Sequence, residues 1–387
     1  MKESNKKTNL MKQTILNNIK NIYGWKTKRK IVVISVDDYG NVRLDSKKAR
    51  ENIDRAGLKV LSRFDAFDTV ETREDLEMLY EALTSVKDIN NKPAVLTPFA
   101  LPCNIDFDAM KNDGNRKYIY ELLPETYQKL EAKDSNAYKG TWKLWLEGID
   151  IGLMKPQFHG REHLNLKVFE EKLKIKDKEV LTALQNRSYT SISKSGYSTV
   201  GYTAAFEFNN FKENNKFREI IKDGLNKFEK VYGYRSTHFN PPGGREHPVI
   251  HQYLKDNGVK YLDTPLIKHE HQGEGKYKKI LNYTGKKNKQ GMICQVRNVV
   301  FEPTDNRGFD WVNYALKQVE TAFRWHRPAI ISSHRVNFCG HIDPKNRETG
   351  INALKELLKK IVQKWPEVEF MSSVELGELM AGKEEKR

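Results

Sequence analysis

Apolar residues fall along the chain in two alternating patterns. Short β-branched runs end in polar clusters, and amphipathic stretches follow them. The first run, Lys30 to Val36 (KIVVISV), ends at Asp37 and Asp38. Its length and composition predict a buried strand. Ala94 to Ala100 predicts a second strand. Others are expected over 155–159, 199–206, 234–240, 259–263, 292–301, 328–333 and 367–371. Between them the apolar spacing shifts to the helical period, first over 45–55. Thr72 with Asp75 forms a capping-box pattern ahead of the stripe Leu76, Leu79, Tyr80 and Leu83. Phe217, Ile220, Ile221, Phe228 and Val231 form another stripe, and Val312, Leu316, Val319 and Phe323 a third. Leu354, Leu357, Leu358, Ile361 and Trp365 form the last, stopped by Pro366. Pro248 and Gly258 punctuate the start and end of a short helix. Residues 104–150, charged and aromatic, read as a helical insertion.

Strands alternating with helices over this length predict an α/β protein with a parallel sheet. An open doubly wound sheet and a closed barrel both satisfy the pattern. The expected organisation is a basic extension over 1–29 and one domain over 30–380. Within the extension, Met11, Ile15, Ile19, Ile22 and Tyr23 fall near helical spacing. This reads as a helix packed on the outside of the domain, with an interfacial membrane helix as the alternative.

Composition narrows the class. The 387 residues are 38% apolar and 30% charged, as in a soluble globular protein. No run approaches the roughly 18 apolar residues of a membrane span, and no secretory leader is evident. Cytoplasmic residence is expected, with a peripheral contact at the inner membrane as the role open to residues 1–29. Cys103, Cys294 and Cys339 are odd in number and scattered, so free thiols are expected. The formal charge of +16 draws polyanions. The lysines are spread over the whole chain, however, which reads as a solvated surface and names no specific nucleic-acid partner.

Four expected strand ends carry chemistry. At the first, Asp37 and Asp38 precede Tyr39-Gly40. Neighbouring side chains on a strand point to opposite faces, so one carboxylate can bind a metal while the other serves as a base. The second is His159-Gly160-Arg161-Glu162-His163, where two histidines four apart can converge on one ion. The string also fits the H-x-x-E-H pattern of inverzincin peptidases. That pattern needs a helix, which Pro156 and Gly160 oppose. The third is His238 to Arg245, whose Pro-Pro-Gly-Gly turn exposes backbone amides to an oxyanion. The fourth ends at His334, a candidate general acid or base. Asp263, closing another strand, is a carboxylate able to orient it.

Taken in order, these motifs resemble those of NodB-type polysaccharide deacetylases. Ser35-Val36-Asp37-Asp38 resembles the family's T-F-D-D. His159 to His163 resembles H-[ST]-x-x-H, with Gly160 at the hydroxyl position. Asn240-Pro241-Pro242-Gly243 is similar in frame to R-x-P-Y. Asp263 stands where the fourth motif has its Asp, and Ile331 to His334 resembles L-x-L-H. The matches span residues 30 to 340. The resemblance implies a distorted (β/α) barrel of the glycoside hydrolase/deacetylase type and a carbohydrate substrate. It implies one divalent metal, usually zinc, bound by Asp38, His159 and His163. Asp37 is then the base and His334 the acid, with the Gly243 amide and Pro242 at the oxyanion. Two departures stand out. The family's Arg is Asn240 here, leaving Arg235 or Arg245 to supply a cation, and the family's Tyr is Gly243. The D-D-Y-G-N string also resembles YdjC-type sugar deacetylases. The competing readings are the peptidase and a degenerate barrel that binds anionic glycan. Oligomeric state is not expressed in these patterns.

Overall fold

A computed structural model describes residues 13–382. Nine strands build one parallel sheet. They are β1 (Lys30–Tyr39), β2 (Leu96–Ala100), β3 (Gln157–Phe158), β4 (His238–Phe239), β5 (Tyr261–Asp263), β6 (Ile293–Gln295), β7 (Val299–Val300), β8 (Ala329–His334) and β9 (Val368–Met371). Their order is β6-β5-β4-β3-β2-β1-β8-β7, with β9 also on β1. The strands therefore follow chain order around a ring that has one seam, between β6 and β7. Residues 296–298 link the strands on its two sides. The fold is a distorted (β/α) barrel whose sheet stays unpaired at that seam. β9 pairs with Lys30–Val33, and β2 takes over from Ile34, so two strands share one edge of β1.

β1 is buried along nearly its whole length, as a parallel strand covered on both faces must be. Val32, Ile34, Val36 and Tyr39 join a continuous core with the helices Arg73–Thr84, Phe217–Tyr232, Trp311–Arg324 and Pro344–Lys364, while Ile31 and Val33 pack with Ile330 and Leu376. The expected capping box is present: Asp75 N–H donates to Thr72 Oγ1 at 3.2 Å, and Thr72 N–H to Asp75 Oδ2 at 2.9 Å. All three cysteines are free and buried.

Three expectations are corrected. Residues 199–206 form no strand. Gly201 opens a pair of tight turns there, and the Glu207 carboxylate binds the Gly201 amide. The apolar residues of this segment are buried beneath a cleft wall instead. The run 292–301 is two short strands broken at Val296-Arg297-Asn298, not one. The 104–150 region is only partly helical, because Cys103–Ile105 and Tyr120–Leu122 pair as an antiparallel ribbon. A second ribbon, Ile267–Gly273 with Lys276–Leu281, has an almost wholly polar sequence and gave no apolar signal.

Residues 13–22 are helical. The expectation that this segment packs on the domain holds, but with the opposite face. Its asparagines are buried, and Ile15, Leu16, Ile19, Ile22 and Tyr23 are exposed. Met11 lies outside the described residues. Among the described residues, no helix is long and apolar enough to cross a membrane.

Candidate metal and acid–base site

The C-terminal ends of the strands surround a cleft of about 590 Å³. Asp37, Asp38, His159, His163, Asn240, Gly243 and His334 all line it. A β-bulge explains how adjacent carboxylates reach the same cleft. Val36 pairs with Pro98 and Tyr39 with Ala100, so β1 has one residue more than β2 at this point. Asp38 takes a φ of +75°, a conformation that L-residues adopt at a cost. Bulges of this kind re-aim side chains.

Asp38 Oδ1 lies 2.9 Å from His163 Nε2 and 3.4 Å from His159 Nε2. One ligand atom from each of the three residues falls within 4.8 Å of the others. His159 Nδ1 sits 2.8 Å from the Asn240 carbonyl, which can only accept, so this nitrogen carries the proton. In the neutral ring Nε2 then holds a lone pair facing a carboxylate, and that buried atom has no hydrogen-bond partner. Two acceptors in buried contact repel one another, and a cation between them resolves the repulsion. Burial resists ionisation of Asp38, but His163 beside it outweighs burial and holds the carboxyl well below its usual range. Burial also depresses the His163 imidazole, more than Asp38 restores it. The donor set, one carboxylate and two imidazoles, suits zinc and its neighbours.

Beside this triad, Asp37 is braced on both oxygens. Arg297 donates to Oδ1 at 2.7 Å and to Oδ2 at 2.8 Å, and Asn240 Nδ2 donates to Oδ1 at 2.8 Å. The same Arg297 donates through Nε to Asp263 Oδ2 at 2.7 Å. Asp263 in turn lies 3.2 Å from His238 Nε2. Burial opposes its ionisation, and Arg297 and His238 overcome that, leaving the carboxyl below its usual range.

His334 pairs with Asp37 across the β1–β8 ladder, with its Nε2 4.0 Å from Asp37 Oδ2. Its Nδ1 lies 2.7 Å from Glu302 Oε1. Burial disfavours the charged ring, but Glu302 first and Asp37 next raise the His334 pKa to about 9. Glu302 also receives Asn337 Nδ2 at 2.8 Å and pairs with Arg63.

Several expected positions change. Asp263 does not meet His334; Glu302 does. Arg235 binds Glu229, Asn226 and Asn257, and Arg245 binds Glu207. The cation beside Asp37 is Arg297. Pro242 is buried and walls Gly160, where an added Cβ would meet Pro242 Cγ and the Glu162 carbonyl at 3.2 Å. With a φ of +110° as well, position 160 accepts no hydroxyl side chain without strain. Residues 159–165 are irregular, so the helix that a peptidase reading needs is missing. Glu162 pairs with Arg161 at 2.6 Å, away from the cleft. Arg297 and Glu302 belong to the site without standing in any of the sequence motifs. Their signal was a charged residue inside an apolar run and an acid just past its end.

No protein-family model and no curated protein matches the chain. Seventeen chains of solved structures do. A 4-α-glucanotransferase from Thermococcus litoralis is 11% identical with a TM-score of 0.44; the match covers 93% of this chain and 41% of that one. A protein from Mycobacterium smegmatis described as a polysaccharide deacetylase is 12% identical with a TM-score of 0.43, over 93% of each chain. Puue allantoinase is 11% identical with a TM-score of 0.42, over 94% of each.

Proposed function

We propose that the chain is a metal-dependent hydrolase that removes an acetyl or related acyl group from an N-acetylated sugar. Asp38, His159 and His163 hold one divalent ion, with zinc the leading candidate. The observation that carries the reading is the buried pair of facing acceptors, His159 Nε2 and Asp38 Oδ1, beside a braced Asp37. When bound, the metal supplies Lewis acidity toward the acyl carbonyl and the attacking water.

The remaining roles belong to side chains and backbone. Asp37 takes the proton of the attacking water. Arg297 and Asn240 fix its orientation through hydrogen bonds to both oxygens. His334, charged at neutral pH, gives its proton to the leaving amine, and Glu302 holds the ring in place. The Gly243 amide, in the turn that follows Pro242, faces the developing oxyanion. Asp263 acts at one remove by anchoring Arg297. The same reading takes residues 30–380 as one domain. A carbohydrate suits the cleft, whose wall includes Leu61, Phe64 and Ile192 for the apolar face of a ring.

Elemental analysis, paired with acetate release from N-acetylglucosamine oligomers, tests the proposal. About one divalent ion per chain and metal-stimulated acetate release are expected. A protein that binds no divalent ion, and releases no acetate when zinc is added, would overturn it.

A further inference from the structure

The helix over residues 13–22 is docked by its polar face. Asn17 and Asn21 are 8% and 1% exposed, whereas Ile15, Leu16, Ile19, Ile22 and Tyr23 each expose 42–60% of their surface. Hydrogen bonds fix this orientation. Asn298 Nδ2 donates to Asn21 Oδ1 at 2.8 Å, and Trp325 Nε1 to Asn18 Oδ1 at 2.8 Å. The Arg327 guanidinium grips the helix end, donating to the carbonyls of Asn21 at 2.9 Å, Ile22 at 2.7 Å and also Gly24. Rolling the helix to bury its isoleucines would break these bonds and leave buried amide and guanidinium groups unsatisfied. The outward apolar stripe is thus set by the rest of the fold.

Charge identifies what covers it. Residues 1–30 contain nine basic residues and one acid, Glu3. Lys26 and Lys28, directly after the helix, are exposed. The whole chain carries +16. Two copies meeting on this face would bring like charges together, whereas an anionic bilayer attracts them. Tyr23, at the end of the stripe, is a residue type suited to the headgroup level.

We infer that this helix seats the protein on an anionic membrane surface, with Ile15, Leu16, Ile19 and Ile22 in the boundary between headgroups and acyl chains. The contact is peripheral, and the protein body lies on the side of the helix away from the lipid. It does not depend on the proposed chemistry.

Co-sedimentation of the full chain with mixed phosphatidylglycerol–phosphatidylcholine vesicles tests it, with pure phosphatidylcholine vesicles alongside. The wild type is expected to pellet with the anionic vesicles and far less with the neutral ones. Raising the ionic strength weakens the binding, because screening removes the basic attraction. The double variant Ile15→Glu, Ile19→Glu is expected to bind about tenfold more weakly, since two apolar anchors become charged. Both positions are exposed, so its melting temperature should match the wild type. Three results would overturn the inference: no wild-type binding to anionic vesicles, equal binding by the double variant, or a wild-type dimer that the double variant converts to monomer.

Discussion

The two carboxylates at the end of β1 are neighbours in sequence and opposites in environment. Asp37 has donors on both oxygens, from Arg297 and Asn240. Asp38 faces His159 Nε2, a buried nitrogen with no partner of its own. On one side of the cleft Arg297 bridges Asp37 and Asp263, with the Glu302–His334 pair beside it. On the other, the Asp38 carboxylate meets an unpartnered imidazole nitrogen. A carboxylate paired with a guanidinium holds a reacting group still. A cluster of facing acceptors is under electrostatic tension until something cationic arrives. Asn240 joins the two, since its side chain holds Asp37 while its carbonyl orients His159.

Substitutions can break this contrast one side at a time. The largest effect is expected from His159→Ala with His163→Ala, which should reduce bound metal to background by elemental analysis and abolish acetate release. Retained stoichiometric metal would place the ion elsewhere. Asp37→Asn should leave metal content intact while lowering kcat by about 10²–10⁴-fold, the range for loss of a general base. Full turnover in that variant would remove Asp37 from the mechanism. Arg297→Gln leaves Asp37 and Asp263 facing each other without their shared cation. Denaturant unfolding should show a loss of about 3–5 kcal/mol, the usual cost of removing one partner from a buried ion pair.

The smallest effect concerns pH. His334 has a folded pKa raised to about 9. Its charged form therefore exists below that value, and activity should fall as pH rises through about 9. The stabilising pair with Glu302 is likewise fully present below the ordinary histidine range and is lost as pH rises through about 9. In Glu302→Gln the alkaline limb of the kcat profile should slide down toward the ordinary histidine value of about 6.5. A limb that stays in place would assign that titration to another group.

The barrel was legible where strands end in chemistry. β1, β2, β8 and β9 stand out as apolar runs, and Asp37, Asp38, His159, His163, Asn240 and His334 do meet in one cleft. The bracing was not legible. Arg297 sits between two strands so short that together they read as one, and its partners lie 260 and 34 residues away in sequence. Proximity of that kind follows from barrel closure, which no local pattern encodes. The same limit explains Arg235 and Arg245, which lie near the right motif but turn toward Glu229 and Glu207. Residues 199–206 failed for a different reason. Their apolar side chains are buried beneath a cleft wall, so burial and strand pairing part company there.

The seam between β6 and β7 makes the ring a clasp rather than a hoop. On the β7 side, the Val300 amide is held by the Gln318 side chain at 3.3 Å instead of by a neighbouring strand. On the β6 side, the edge is closed by an antiparallel bridge, with the Cys294 amide donating to the Lys286 carbonyl and the Gly285 amide to the Cys294 carbonyl. A side chain releases its partner more readily than a ladder does, so the barrel should breathe first on the β7 side. The amide hydrogen of Val300 would then exchange with solvent sooner than those in the middle of β1. Because Arg297 forms the pin of the clasp, each opening would also loosen the grip on Asp37.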